Sequence, residues 1–317
     1  MIYNIVNSIF MDKKNLKKRW SNDEIKPFYQ KLKKKIRKQF IACSPFGKIE
    51  GYEDFRGFFI EEEQNLKNVM FVNAQFQYSN LASIKLYSSH FKECIFKDIN
   101  ANRLTDHGNK FVNCTFEDVD FTKSILGYDG SKYEKCVFKN CDLSTADFIK
   151  AQFDYCIFDE SKLNGVDFNV SSFIECEFRG ELDDVWFRGD YALPSSKRHF
   201  GEFRKNTMEG VDFRGCKLSW LTFTGNVPLN NVLLPKDDFV FYLDNLQERF
   251  KSALSNCDCM FNDYKYKNIA CEYLQDKLES DFEDQDETIM TLSDLKKIYD
   301  VNDDFLVTLK SLLLAPE

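Results

Sequence analysis

Between residues 71 and 223 a large apolar side chain returns at every fifth position. Phe71, Phe76, Leu81, Leu86, Phe91 and Phe96 share one phase, and Phe111, Phe116, Phe121 and Leu126 continue it. Two extra residues follow, and the phase resumes from Tyr133 through Phe138, Leu143, Phe148, Phe153, Phe158, Leu163, Phe168, Phe173 and Phe178. Phe203, Met208, Phe213, Leu218 and Phe223 return on that second phase. A helix repeats every 3.6 residues and a flat strand every 2, so neither gives this spacing. Two residues before most centres stands a small side chain, as in Ala74, Ser79, Ser89, Cys94, Cys114, Ser124, Cys136, Ala151, Cys156 and Cys176. Residues two apart on an extended chain point the same way. Each five-residue unit therefore turns one small and one large residue inward and then bends.

Four such bends close a square coil of about 20 residues, with coils stacked at the ~4.8 Å strand spacing. The period of 20 is visible in the centres. Face A would stack Phe71, Phe91, Phe111, Tyr133, Phe153, Phe173 and Phe203. Face B would stack Phe76, Phe96, Phe116, Phe138, Phe158, Phe178 and Met208. Face C would hold Leu81, Ala101, Phe121, Leu143, Leu163 and Phe213, and face D Leu86, Leu126, Phe148, Phe168 and Leu218. The expected structural core is led by Phe91, Phe111, Phe153 and Phe173 on one face and Phe96, Phe116, Phe138 and Phe158 on the next.

The runs Val119-Asp120-Phe121-Thr122-Lys123, Cys141-Asp142-Leu143-Ser144-Thr145, Ala146-Asp147-Phe148-Ile149-Lys150 and Val211-Asp212-Phe213-Arg214-Gly215 resemble the A-(D/N)-(L/F)-x-x unit of the pentapeptide repeat proteins. The resemblance covers about residues 66–225. It implies a mainly β fold, a right-handed quadrilateral β-helix, here with α-helical N- and C-terminal flanks. It implies less about function. The best-understood members bind DNA gyrase or topoisomerase IV, their solenoid imitating duplex DNA and protecting the enzyme from quinolones, and they carry two loops projecting from the coil.

Two stretches interrupt the period. Residues 99–110 put Ala101 and Asp106 at centres; a buried, unpaired Asp costs several kcal/mol, so a bulged loop is expected around 106–109. Residues 180–202 form a longer interruption that leaves after face B and returns at face A. Its Trp186, Phe187, Arg188, Tyr191 and Arg198 are of the types that anchor interfaces and are the candidate partner-binding residues. The competing expectation is a loop packed on its own coil.

The flanks change character. Ser21 and Glu24 have capping-box spacing, with Trp20 and Ile25 as a hydrophobic staple, and Pro27 offers an alternative helix start. Ile25, Phe28, Leu32, Ile36 and Phe40 then follow a helical stripe, with Lys31, Lys33, Lys34, Lys35, Arg37 and Lys38 on the polar side. C-terminally, helices are expected over about 235–255, on Phe239, Leu243, Leu246, Phe250 and Leu254, and over 264–280, 292–299 and 302–314. Helical caps at both ends would hide the solenoid's open edges.

Charge supports the same division. Residues 1–64 carry 14 Lys+Arg against 9 Asp+Glu, net +5; residues 65–228 net −3; residues 229–317 net −10. These are read as a basic N-terminal helical cap region (1–64), the solenoid (65–228) and an acidic α-helical region (229–317). The complementary ends, and the C-terminal helices in particular, offer a route to a homodimer. Mean hydropathy of −0.44 and the lack of any apolar run near the ~18–20 residues of a span point to a soluble chain without membrane contact. The charged cluster follows the apolar stretch Met1–Phe10, the reverse of a signal peptide. Eleven Cys without an export signal then suggest reduced thiols and a cytoplasmic setting.

Little points to catalysis. Cys94, Cys114, Cys136, Cys156 and Cys176 recur in the small slot as a buried ladder, which fits packing better than a redox or metal chain. Cys257, Cys259 and Cys271 lack a fourth ligand at zinc spacing. His90, His107 and His199 fall in no metal or nucleophile motif. No catalytic residue, cofactor or metal is expected. A faithful duplex mimic about 33 Å long would need near 20 negative charges, against a net of −3 here. The leading expectation is a non-enzymatic protein-interaction scaffold that uses the 180–202 loop and the terminal helices. The alternative is a DNA-mimicking modulator of a type II topoisomerase. Direct nucleic-acid binding through the basic helix is the weakest reading.

Overall fold

The computed structural model describes residues 11–33, 39–60, 65–191, 193–280 and 284–315. Its centre is a quadrilateral β-solenoid of parallel strands. Among the described residues, face A is a seven-stranded sheet from Phe40–Ile41 and Val69–Val72 to Ser172–Ile174, face B a nine-stranded sheet and face D an eight-stranded one. Face C is made of isolated bridges such as Asp120↔Asp142↔Lys162 and of strands that run on from face B, such as Thr115–Asp120. The Phe column of face A is as expected. Ring centroids lie 4.8 Å apart for Phe91–Phe111, 4.9 Å for Phe111–Tyr133, 5.0 Å for Tyr133–Phe153 and 5.2 Å for Phe153–Phe173. Face B repeats this from Phe96–Phe116 at 4.8 Å to Phe158–Phe178 at 4.8 Å.

The small slot is functional in the fold. Ser124 Oγ donates to the Ala101 carbonyl (2.8 Å) and Cys156 Sγ to the Tyr133 carbonyl (3.2 Å), each one coil back. Two residues after most centres the chain turns through left-handed backbone, as at Asn73, Tyr78, Ser83, Ser88, Glu93 and Asp98 with φ between 47° and 60°. Residues other than Gly, Asn and Asp resist this region. The stacking of the centres holds them there.

Three expectations need correction. Residues 99–110 do not bulge out. Thr105–His107 is a face-D strand, paired Asp106↔Leu86, and Asp106 is fully buried at a core centre. The carboxylate is satisfied instead by the two-residue insertion in the next coil. Gly127 N donates to Asp106 Oδ2 (3.1 Å), Ser131 Oγ to Oδ1 (2.8 Å) and the Tyr133 hydroxyl to Oδ2 (2.6 Å), with Asn109 Nδ2 as a fourth donor. Burial still pushes the Asp106 carboxyl up, against these hydrogen bonds. Gly127 is required here: at φ +84° an added Cβ would lie 2.4 Å from Ala151 Cβ.

The second correction concerns 180–202. Glu177–Asp183 is one continuous strand, and Trp186–Arg188 is a face-D strand. Leu182 and Phe187 are the missing face-C and face-D centres, both buried. Leu182 follows Phe178 by four residues, so a fixed period of five passes over it. Consequently Met208 belongs to face A, where Glu209 bridges Ile174. Phe213 stacks beside Phe178 on face B (5.2 Å), Leu218 pairs with Leu182 on face C and Phe223 with Phe187 on face D. Phe203 lies off the coil, 5.2 Å from Tyr191.

The third concerns the flanks. The N-cap is Asn22 rather than Ser21, leading through a short 3₁₀ turn into helix Lys26–Lys33. Phe40 lies in a strand paired with Val69, because residues 39–60 join the stack and extend the solenoid N-terminally. Lys34, Lys35, Ile36, Arg37 and Lys38 lie outside the described residues. Buried Trp20 caps this end, against Phe46 (4.8 Å) and Phe58 (5.0 Å), with its indole N–H on the Arg56 carbonyl (2.8 Å). Beside it, burial alone would raise Asp54, but hydrogen bonds from Arg19 and Arg56 hold its carboxyl at about 2.

At the other end, Val240–Asp244 is a strand, antiparallel to Glu287–Thr291, where a helix was expected. Its aromatic and β-branched run favours a strand, and left-handed Asn245 separates it from helix Leu246–Met260. Val240 and Ile289 pack on the solenoid core, while Leu243 and Met290 face a separate core with helices Leu246–Met260, Tyr264–Ser280 and Asp303–Leu314.

Two outcomes test this packing. Phe153→Ala removes a ring from the middle of the face A ladder, where it also meets Phe138 and Phe158 of face B edge-on, and should destabilise the fold by ~3–5 kcal/mol in urea unfolding; a loss below about 1 kcal/mol would mean the ring is not packed as described. Asp106→Leu restores the apolar pattern, yet should cost about 3 kcal/mol or more, because it orphans several buried donors at roughly 1–3 kcal/mol each. Unchanged stability in that variant would contradict the buried network.

Candidate interaction surface

The residues singled out between 186 and 198 separate into three environments. Phe187 is a core centre, with Phe168 at 5.3 Å below and Phe223 at 5.4 Å above. Its neighbours in the strand, Trp186 and Arg188, point the other way and are partly exposed. Arg188 stacks 4.5 Å over the Trp186 ring and its Nε donates to both Asp167 oxygens (3.0 and 2.8 Å). Burial raises Asp167, and Arg188 opposes that rise. Trp186 Nε1 donates to Asp184 Oδ1 (3.3 Å), which fixes the indole against the coil edge.

Tyr191 is buried at the start of the true excursion, which runs over about 190–207. Its hydroxyl donates to the Gly201 carbonyl (3.0 Å) across the excursion's neck, and burial pushes the phenol up to about 12. The excursion lies along the coil as a strap. Phe200, at the end of helix Pro194–Phe200, meets Tyr128 at 5.5 Å, and Lys150 Nζ donates to its carbonyl. Arg204 holds the strap to Asp154 (2.7 Å) and Ser172 Oγ (2.6 Å). Arg198 and Leu193 remain on its outer side, exposed.

A cleft not expected from the sequence lies beyond this strand. It has a volume of about 820 Å³, between the last coil and the strand pair and helices of the C-terminal region. Trp186 and Trp220 line the coil side, with Leu221 and Ile289 deeper, and Asp183, Asp184, Asp284 and Lys277 supply the charge. Trp220 is 38% exposed and sits at a left-handed corner, φ 51°, equivalent to Asp184 one coil earlier. Asp294 holds it there: Oδ2 accepts from Trp220 N (2.8 Å) and Oδ1 from Ser219 Oγ (2.7 Å). Gln285 bonds both the N–H and the carbonyl of Val227 (2.8 Å each), so the far wall is tied to the solenoid. One signal was present in the sequence: Trp220 stands two residues after the centre Leu218, at a corner where polar residues predominate.

The Cys ladder is buried, its thiols donating to main-chain carbonyls, and burial pushes the Cys136 and Cys156 thiols up. Along the coil exterior, acids are matched by bases one coil away, as in Lys97–Glu117 (3.1 Å), Lys110–Glu134 (3.3 Å) and Lys162–Asp142 (3.0 Å). No helix among the described residues is long and apolar enough to cross a membrane.

Known proteins add the following. No curated protein matches the sequence. Among solved structures, the chain is similar to HetL, a pentapeptide repeat protein involved in heterocyst differentiation regulation from the cyanobacterium Nostoc sp. strain PCC 7120. That similarity is at 10% identity, covering 68% of this chain and 96% of HetL with a TM-score of 0.43. It is also similar to full-length QnrB1, a plasmid-mediated fluoroquinolone resistance protein, at 15% identity over 54% of this chain and 91% of QnrB1, with a TM-score of 0.23. The family model described as pentapeptide repeats (8 copies) matches residues 134–165. The same five-residue unit builds the coils on both sides of that segment, so the solenoid is similar to those of the pentapeptide repeat proteins along its length.

Proposed function

We propose that the protein is a non-enzymatic interaction scaffold that holds a macromolecular partner at the C-terminal end of its solenoid. The observation that carries this reading is the cleft with Trp186 and Trp220 on its wall. Trp220 is unusual for its corner, and the fold does not need its ring, since the core centre Leu218 already fills that coil. Indole faces flanked by carboxylates suit a protein segment carrying Lys or Arg beside apolar side chains. Arg198 and Leu193 on the strap offer a second contact on the outer surface. Phe187 and Tyr191 contribute by holding the coil and the strap neck in place.

The duplex-mimicking modulator of DNA gyrase or topoisomerase IV is the less supported reading. The solenoid region nets only −3, and its acids are partly neutralised by neighbouring coils. A mimic needs an unneutralised stripe.

Affinity capture from the native host, followed by titration of the captured partner, tests the proposal. Trp220→Ala should weaken that partner by ~2 kcal/mol, roughly thirtyfold, while leaving the melting temperature nearly unchanged. Phe187→Ala should do the reverse and lower the melting temperature. A partner that binds Trp220→Ala as tightly as the parent protein would remove the cleft from the account. Protection of gyrase supercoiling against a fluoroquinolone would favour the alternative.

A further inference from the structure

Cys257 and Cys271 face each other across the C-terminal helical hairpin. Cys257 lies near the end of helix Leu246–Met260 and is fully buried; Cys271 lies in the first half of Tyr264–Ser280 and is partly exposed. Their Sγ atoms are 2.9 Å apart. That is within about 1 Å of the ~2.05 Å disulfide bond. Close packing brings them together: Leu246, Phe250, Ala253, Ala270 and Leu274 are buried in the same core. The ion pair Lys267–Asp258 (2.7 Å) joins the same two helices next to the thiols.

We infer that Cys257 and Cys271 form a reversible dithiol–disulfide site that ties the two helices of the C-terminal region, with a small-molecule disulfide such as oxidised glutathione as its oxidant. Exposure sets the order of steps. The partly exposed Cys271 thiolate attacks one sulfur of the oxidant and expels a glutathione thiolate, leaving a mixed disulfide. Burial pushes the Cys257 thiol up to about 12, so it is a poor first nucleophile. It lies against the Cys271 sulfur and completes the exchange by attacking it and expelling the second glutathione thiolate. The two protons lost by the cysteines pass to the two departing thiolates, so one oxidised glutathione becomes two reduced ones. The ladder thiols also neighbour one another from coil to coil, but all of them are buried, whereas Cys271 is open to an oxidant. Cys259 is exposed two residues along the same helix, and the ladder thiols lie beneath the coil with main-chain carbonyls as their acceptors.

The consequence is local and definite. The hairpin packs on the strand pair that docks the region to the last coil, so oxidation closes one side of that unit covalently. This inference does not depend on the partner-binding reading.

The test equilibrates the full-length folded protein in graded mixtures of reduced and oxidised glutathione, with acid quenching, alkylation, proteolysis and mass spectrometry. One linked peptide pair containing Cys257 and Cys271 should appear at the oxidising end and vanish with dithiothreitol, while Cys259 remains alkylated. Cys259→Ser should leave the link in place, and Cys271→Ser should abolish it. The oxidised parent protein should melt on the order of 5 °C above the reduced one, a difference absent in Cys271→Ser. Alkylation of both Cys257 and Cys271 at the oxidising end, or a link through Cys259 instead, would overturn the inference.

Discussion

The structure depends on one constraint: a large apolar side chain must lie directly over its counterpart one coil away, at the spacing of parallel strands. The aromatic centroids keep to that spacing, 4.8–5.2 Å along face A from Phe91 to Phe173. It forces the chain to turn a corner every five residues, and it makes those corners left-handed even at Tyr78, Val170 or Trp220. Each strained corner costs of order 1 kcal/mol or more, while a buried Phe contributes roughly 1.5–3 kcal/mol. Stacking therefore outweighs the strain only if every coil keeps its register. A local deviation must be compensated in the adjoining coil.

The two irregular places in the solenoid show such compensation. Asp106 occupies a centre where Leu or Phe belongs, and the next coil gains two residues that bring Gly127 N–H, Ser131 and Tyr133 to the carboxylate. After Phe178 the corner loses a residue, the strand Glu177–Asp183 runs straight through it, and the following coil pairs with it through a bulge between Glu177 and Arg179. The fold was therefore legible wherever the period was unbroken, since period five alone defines faces A to D. It was not legible where a shift of one or two residues moved the centres. A fixed phase missed Leu182 and Phe187 and placed three of the candidate anchors, Trp186, Phe187 and Arg188, in a loop instead of a strand. The strand Val240–Asp244 escaped for a different reason. Its pairing partner, Glu287–Thr291, lies more than 40 residues away in sequence, and local pattern gives no view of it.

The candidate site was less legible than the fold for a related reason. The repeat explains residues that point inward, whereas a binding surface is built from those that point outward. Trp186 and Arg188 were identified by type, but their orientation follows from Phe187 being the centre between them. The cleft beside Trp220 depends on how the C-terminal region docks, through Asp294, Gln285 and Glu287 on the last coil. Those contacts link segments 58 to 75 residues apart. The terminal regions thus do more than close the ends, because one of them completes a large concavity adjoining the solenoid.

The central claim is that the coils are translationally equivalent and held by register. It is tested most directly by cooperative thermal unfolding of two deletion variants. Removing residues 134–153 takes out one whole coil and joins Tyr133 to Asp154, so Phe158 replaces Phe138 above Phe116 and the donors to Asp106 are kept. Removing residues 134–150 takes out less chain but places Phe153 in the small slot and Tyr155 at the centre. The account predicts a single cooperative transition with β-type circular dichroism for the first variant and loss of cooperative melting for the second. Comparable melting of both, or failure of the whole-coil deletion alone, would contradict it.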